Sequence, residues 1–219
     1  MTRVSGVVIG GLVWASFAWG GAIAPLEFVP PEAGSYRLER IMRAPEGTVL
    51  DVDDRPRALS EFTTGRITLL SFIYTHCSDV WGCPLAYEVM DALKREIDRE
   101  AGLRGRLRFV SLSFDPDRDT PEVMQLYGGS HVVDRGGLPW YFLTTPSPRE
   151  LKPLLEGFGQ DLSLVIDGTG RPTGLLSHML KVFLIDRRGQ VREIYSTAWL
   201  QPQVVLNDIR TLLLEERGR

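Results

Sequence analysis

The chain's two cysteines stand six positions apart, in the run Tyr74-Thr75-His76-Cys77-Ser78-Asp79-Val80-Trp81-Gly82-Cys83-Pro84. Two thiols this close can exchange electrons as a dithiol/disulfide couple, or hold a soft metal as thiolates. The run joins two elements of opposite character. Residues 67–74 are nearly all apolar, as in a central strand buried on both faces. A helix then opens at Pro84, where the missing N–H of proline costs nothing. A helix N-terminus offers unpaired N–H groups and a partial positive charge, and both favour thiolate over thiol. A third use, a disulfide staple, is worth roughly 2 to 2.5 kcal/mol for so short a loop. A domain of this size buries its own core and does not need it.

The spacing separates these uses. A C-x-x-C pair keeps both sulfurs on one helical turn for rapid exchange, whereas the five-residue gap between Cys77 and Cys83 makes a loop suited to wrapping something. Thioredoxin-type oxidoreductases also set a cis-proline opposite the thiols, and the corresponding approach here, Leu175-Leu176-Ser177-His178-Met179, has none. It has His178 instead. On the expectation that a strand runs over 179–186 with His178 at its mouth, that imidazole faces the helix bearing the thiols. Two thiolates and one imidazole make a soft three-coordinate site that suits copper(I). Zinc prefers four ligands, and a fourth is not evident. His76 adjoins Cys77 and is placed either to act on that thiol from outside the ligand set or to pack at the strand end. His131, in Gly129-Ser130-His131-Val132, reads as a surface-loop residue, and Met179 as core on the strand face opposite His178.

Other patterns carry no chemistry. Asp115-x-Asp117-x-Asp119 imitates a calcium loop but has Thr120 where glycine is needed and Leu126 where a bidentate Glu is needed. The glycine-rich run 168–174 lacks the Gly-Lys-Ser/Thr ending of a phosphate cradle and reads as a hairpin or loop. A peroxide-reducing thiol wants Thr or Ser three residues upstream, where Tyr74 stands.

The elements that must position the thiols follow in order. A short strand near Thr48 runs into an Asp-rich turn, and the central strand 67–74 leads to the cysteine loop. The helix from Pro84 carries Leu85, Val89, Leu93 and Ile97 on one stripe, with Asp91 and Arg95 on the wet face and Gly102 as its expected stop. A second strand covers 107–114, and a helix follows it with Thr120 as N-cap. Then come a strand over 140–144, a helix begun by Ser147 and Pro148 and running through Phe158, a hairpin around Arg187-Arg188-Gly189, and a closing helix over 202–216. Strand–helix–strand–helix, then a hairpin and a helix, is the order of a thioredoxin-like α/β domain. We expect a central mixed sheet flanked by helices, with an N-terminal β extension and a late β-hairpin.

Composition limits the partners. With 25 Lys and Arg against 28 Asp and Glu, net charge −3, and no basic cluster with interleaved aromatics, nucleic acid is not an expected partner. Arg3 precedes an uncharged stretch, 4–26, with small residues at Gly20-Gly21-Ala22-Ile23-Ala24. Residues 1–24 read either as a cleaved signal peptide or as a retained membrane anchor, since the stretch can span a bilayer of about 20 residues. The expected organisation is that segment, a lead over 25–47 and a domain over 48–219, facing the periplasm.

Three blocks together resemble the Sco/SenC family, extracytoplasmic copper-binding thioredoxin-like proteins of cytochrome oxidase assembly. They are Phe72-Ile73-Tyr74-Thr75-His76-Cys77-Ser78-Asp79-Val80 with Cys83-Pro84, Ser113-Phe114-Asp115-Pro116-Asp117-Arg118-Asp119-Thr120-Pro121-Glu122, and Ser177-His178 leading into Val182-Phe183-Leu184-Ile185-Asp186. The resemblance implies a copper ion held by Cys77, Cys83 and His178, with Asp79 as the acidic residue between the cysteines and Asp79 and His76 just outside the ligand set. It implies delivery of copper to the binuclear copper centre of a respiratory oxidase, or reduction of that centre's cysteines. The implied partners are the copper-site subunit of cytochrome oxidase or another copper protein, together with other copper chaperones or thiol reductants. A thiol-disulfide oxidoreductase using Cys77 and Cys83 without a metal is the alternative. The family pattern is C-x-x-x-C-P. This chain fits it either with Trp81-Gly82 as an insertion or with Trp81 in place of the second cysteine. In the first case, Trp81 at the loop tip reads as a partner contact or as a lid on the site.

Overall fold

The computed structural model of the chain describes residues 26, 28–133 and 136–217; residues 1–24, the leader or anchor expected from sequence, lie outside the described residues. The chain runs β1 (Met42–Arg43), β2 (Thr48–Leu50), β3 (Pro56–Ala58), α1 (Ser60–Thr63), β4 (Ile67–Ile73), α2 (Cys83–Ile97), α3 (Ala101–Arg104), β5 (Leu107–Ser113) and α4 (Pro121–Gly128). It continues through β6 (Trp140–Leu143), α5 (Pro148–Phe158), β7 (Ser163–Ile166), β8 (Pro172–Ser177), β9 (Val182–Ile185), β10 (Gln190–Tyr195) and α6 (Pro202–Arg217). Six strands form one mixed sheet in the order β1-β10-β9-β4-β5-β6. β4, β5 and β6 are parallel, and β9, β10 and β1 alternate against them. This is the mixed, helix-flanked, thioredoxin-like architecture the element order implies.

All seven residues of β4 and all seven of β5 are buried, which explains why neither alternates polar and apolar. The polar residues inside them are paired: Ser71 and Ser111 hydroxyls lie 3.3 Å apart, and the Trp140 indole N–H donates to Ser111 at 3.1 Å. Leu85, Val89, Leu93 and Ile97 of α2 are buried along one stripe, as their four-residue spacing requires. Ser147 and Thr120 cap α5 and α4 with their side chains, and both helices carry Pro at their start.

Register decides where the chemistry can sit. Ile73 pairs with Ser113 at the carboxyl ends of the parallel strands β4 and β5, and Phe114 N–H extends the ladder to Ile73 O at 2.9 Å. The antiparallel β9 brings its first residue, Val182, beside Ser71, and Tyr195 at the end of β10 pairs with that same Val182. The cysteine loop, the turn after β5, the approach to β9 and the exit of β10 therefore share one end of the sheet. Ligands of open α/β sheets bind at this end.

Four expectations need correction. The strand expected over 179–186 begins only at Val182, because residues up to Ser177 are taken by β8, which pairs with β7 in a separate hairpin. His178 is thus the residue after β8, not the mouth of β9. Met179, expected in the core, is 65% exposed, because it precedes β9 and strand alternation does not apply to it. Gly102 does not stop α2, which ends at Ile97. There Asp98 takes the Lys94 ammonium at 2.8 Å and the Leu138 N–H at 2.6 Å, and Gly102 lies within α3. His131 is not a free loop residue, since its ring packs 4.8 Å from Trp140 and its Nε2 lies 3.3 Å from Asp91.

The lead is built into the fold. β1 adds an edge strand to β10; Asn207 of α6 donates to Pro31 O at 2.8 Å, and Gly34 N–H donates to Thr211 at 2.9 Å. Buried Arg192 ties both to the core, donating to Glu39 O at 2.9 Å, Asp186 at 3.1 Å and Glu215 at 2.9 Å.

Candidate metal centre

The cysteine loop is folded by its own polar atoms. After β4, Cys77 N–H turns back to Tyr74 O at 3.2 Å. Asp79 then organises the tip: its Oδ1 accepts Trp81 N–H at 3.1 Å and its carbonyl accepts Gly82 N–H at 3.0 Å. Gly82 is the N-cap of α2, and its carbonyl takes Ala86 N–H at 3.2 Å. A Cβ on Gly82 would sit 3.3 Å from Asp79 O, a tight approach, and 3.5 Å from Cys77 Sγ, an ordinary contact, so glycine eases the tip against the Asp79 carbonyl. Val80 and Trp81 are thrown outward, 57% and 54% exposed. Cys83, 1% exposed, is the first residue of α2, and Cys77 is half-buried; both are free thiols.

The imidazole arrives on a different element. The β7–β8 hairpin stands apart from the main sheet and is held at its base, where Tyr74 OH donates to Leu176 O at 3.3 Å and Arg118 Nη1 donates to Gly174 O at 2.8 Å. His178 then lies edge-on to Phe114, with ring centroids 4.6 Å apart, and 6.2 Å from Tyr74. Its Nε2 is 3.8 Å from Cys83 Sγ. Its buried Nδ1 has no partner among the described residues, so aromatic packing and the sulfur contact at Nε2 orient the ring.

The turn after β5 links the two halves. Asp119 is fully buried, and its Oδ2 accepts Ser113 Oγ–H at 2.6 Å and Thr75 N–H at 3.1 Å. Its Oδ1 accepts Thr75 Oγ–H at 2.5 Å. Asp119 therefore fixes the start of the cysteine loop while its neighbour Arg118 fixes the histidine hairpin. Nothing local in the sequence of this segment marks that role beyond an Asp in a run that fails as a calcium loop, since a carboxylate without a metal needs donors if it is to be buried.

Cys77, Cys83 and His178 are brought together, with one donor atom from each lying within 4.8 Å of the other two. His76 is exposed and its Nδ1 lies 3.1 Å from Thr75 Oγ1, and the exposed Asp79 spends its carboxylate on the loop. Neither joins the donor cluster. The two thiols are perturbed in opposite directions. Cys77 is held down at about 4, chiefly because its thiolate accepts a hydrogen bond from the Cys83 thiol, with burial opposing and a His178 hydrogen bond assisting. Cys83 is pushed far up by the same hydrogen bond, by burial and by the Cys77 charge. Tyr74 is pushed up to about 12 by burial and then by the Cys77 thiolate, so it remains a neutral phenol beside the site. One thiolate, one thiol and one imidazole thus converge. Bonds of about 2.0 to 2.3 Å to a shared trigonal ion would set such donors roughly 3.5 to 4.0 Å apart. The donors need to close by less than about 1 Å and release one proton, so they fit a soft ion.

The SCO1/SenC family profile matches residues 48–214. The chain belongs to the SCO1/SenC family. A protein of Stutzerimonas stutzeri, provisionally named as copper-binding, is 31% identical over 96 residues. That match spans 45% of the relative's length and 44% of this chain. The crystal structure of Arabidopsis thaliana ScoI with copper bound superimposes with a TM-score of 0.63 at 19% identity, covering 78% of this chain and 98% of that one. BsSco, a member of the Sco family of cytochrome c oxidase assembly proteins studied for a disulfide switch, superimposes with a TM-score of 0.59 at 20% identity, covering 81% and 98%. At these identities the superpositions speak for the fold. Within this SCO1/SenC domain the second sulfur of the donor cluster belongs to Cys83, while Trp81 points away as part of a longer loop.

Proposed function

We propose that this SCO1/SenC protein binds copper through Cys77, Cys83 and His178 and passes it to the binuclear copper centre of a respiratory oxidase. The observation that carries the reading is the convergence of three soft donors within 4.8 Å, on two elements that one buried turn holds in register. Copper is cargo here. It displaces the proton that Cys83 retains, so uptake releases protons and weakens in acid. Residues 1–24 direct the domain over 48–219 to the periplasmic side of the membrane, where copper proteins of the oxidase and other copper chaperones are the partners in reach. Copper(I) titration of the reduced protein tests the reading: a tight 1:1 site that His178→Ala weakens supports it, and absence of binding refutes it.

A second reading has its own observation, two free thiols in one cluster, one partly open and one buried. The Cys77 thiolate attacks one sulfur of a partner disulfide, and the departing partner sulfur leaves as thiolate. Cys83 gives up its proton and attacks Cys77, forming the Cys77–Cys83 disulfide and releasing the second partner sulfur. The partner gains two electrons and, from solvent and Cys83, two protons. In this form the protein would reduce the recipient's cysteines before metal arrives, with thiol reductants restoring the dithiol. Rapid exchange with a peptide disulfide that survives His178→Ala, without copper binding, would favour this reading over the first.

A further inference from the structure

The end of the molecule that carries the donor cluster also exposes several large apolar side chains. Trp81, 54% exposed, and Val80, 57% exposed, form the loop tip. The Trp81 carbonyl accepts Thr197 Oγ–H at 3.4 Å, which ties the tip to the turn after β10. Two residues further on, Trp199 is 56% exposed. Phe28, 41% exposed, lies against Trp199 with ring centroids 5.4 Å apart, and Val29 beside it is 92% exposed. An open groove continues this surface, with Phe28, Ile41 and Trp199 in its lining and Arg37, Glu39 and Glu193 among its charged residues.

Phe28 is also where the chain enters the domain. The 23 residues immediately before Glu27, from Val4 to Leu26, are uncharged and include Trp14 and Trp19. A stretch of that length can cross a bilayer, and it would deliver the chain to the domain at Phe28, against Trp199. Tryptophans concentrate at the headgroup layer because the indole is apolar with one polar N–H. The exposed tip and ring pair, Val80, Trp81, Trp199, Phe28 and Val29, are uncharged, while charged residues line the groove beside them, a mixed surface of the kind that suits the headgroup layer of a bilayer.

We propose that this end of the protein lies on the lipid bilayer, with Trp81, Trp199 and Phe28 seated in the headgroup layer and the donor cluster held beside the membrane surface. The inference rests on the extracytoplasmic reading of the chain and on retention of the N-terminal stretch as an anchor. The half-buried Cys77 then works within a few ångströms of the membrane plane, where a membrane-embedded recipient presents its own site.

The test uses the full chain carrying Trp14→Phe and Trp19→Phe, reconstituted into phosphatidylcholine vesicles with or without bromine at a shallow acyl position. Trp140, 3% exposed, serves as an internal reference whose emission the lipid does not reach. Flotation with the vesicles, loss of most of the Trp81 and Trp199 emission to brominated lipid, and disappearance of that loss in Trp81→Phe/Trp199→Phe support the proposal. Flotation without quenching overturns the apposition and assigns the aromatic end to a protein partner. Failure to float overturns the anchor and the proposal with it. Copper titration of the same preparation is read separately, so a failure of either result leaves the assignment of the donor cluster to be judged on its own.

Discussion

Asp119→Asn isolates the role of the turn that holds both halves of the donor cluster. The substitution keeps the shape and removes the charge from a carboxylate that accepts from Ser113 Oγ, Thr75 N and Thr75 Oγ. A hydrogen bond to a charged group contributes about 1.5 to 3 kcal/mol against about 1 for a neutral pair. The amide can keep one oxygen toward Ser113 and Thr75 N while the Thr75 hydroxyl rotates to accept, so the loss is about 1 to 3 kcal/mol in all. Because Thr75 opens the cysteine loop, that loss falls on the position of Cys77 more than on the sheet, whose strands keep their apolar burial. The expected result is a copper(I) affinity lowered about 10- to 100-fold, in the range seen when groups that orient metal ligands are removed. The assay is competition with a chromophoric copper(I) chelator on the reduced protein, with urea unfolding of the metal-free protein run in parallel. A copper affinity within about twofold of wild type, at 1.4 kcal/mol per tenfold, combined with a clear fall in unfolding free energy, would refute the reasoning and reduce Asp119 to a helper of the β5–α4 turn alone.

Further outcomes follow from the same geometry. Phe114→Ala removes a ring that orients His178, whose Nδ1 has no hydrogen-bond partner among the described residues; copper affinity should fall and Cys77 alkylation should move to higher pH as the assisting His178 hydrogen bond is lost, measured by titration and iodoacetamide trapping. Gly174 has φ +80 and its Cβ position lies 3.1 Å from Arg118 Nη2, so Gly174→Ala should cost about 1 to 2 kcal/mol at the hairpin, read as faster amide exchange in β7–β8 with the main sheet unaffected. In the reduced protein, Cys77 should alkylate with a midpoint near pH 4 and Cys83 only far into the alkaline range, as mass spectrometry of trapped peptides can resolve. The sign for stability follows. Below the unfolded thiol value of about 8.5 the unfolded chain binds two protons and the folded pair one, so stability climbs as pH rises from about 4. Above about 8.5 the unfolded chain has lost both protons while Cys83 keeps its own, so stability turns down. Replacing both cysteines with Ser should flatten this profile in thermal unfolding.

What the sequence disclosed and what it hid divide along a physical line. Buried strands such as β4 and β5, the Leu85–Val89–Leu93–Ile97 stripe, and the Thr120 and Ser147 caps are written in local composition and spacing, and they appear where expected. The three donors could be named from residue type and topology. The glycine-rich run 168–174 reads as a hairpin or loop, and it is the turn of the β7–β8 hairpin with the start of β8. The extent of the strands could not be read, because they are mostly exposed and pair only with each other, leaving no apolar period. That omission displaced His178 from the mouth of a strand to the foot of a hairpin and put Met179 in the core, where it is not. Asp119 was hidden for another reason: its partners Thr75 and Ser113 are 44 and 6 residues away, and no local pattern encodes the meeting.

The unequal burial of the two sulfurs gives the pair a direction. Cys83 is sealed at the start of α2, whereas Cys77 and His178 are both partly open. Under the proposed function, a thiol or thioether from another protein would meet an ion held here at those two donors, and Cys83 would be the last to let go. The asymmetry would then make transfer an ordered relay between ligand sets.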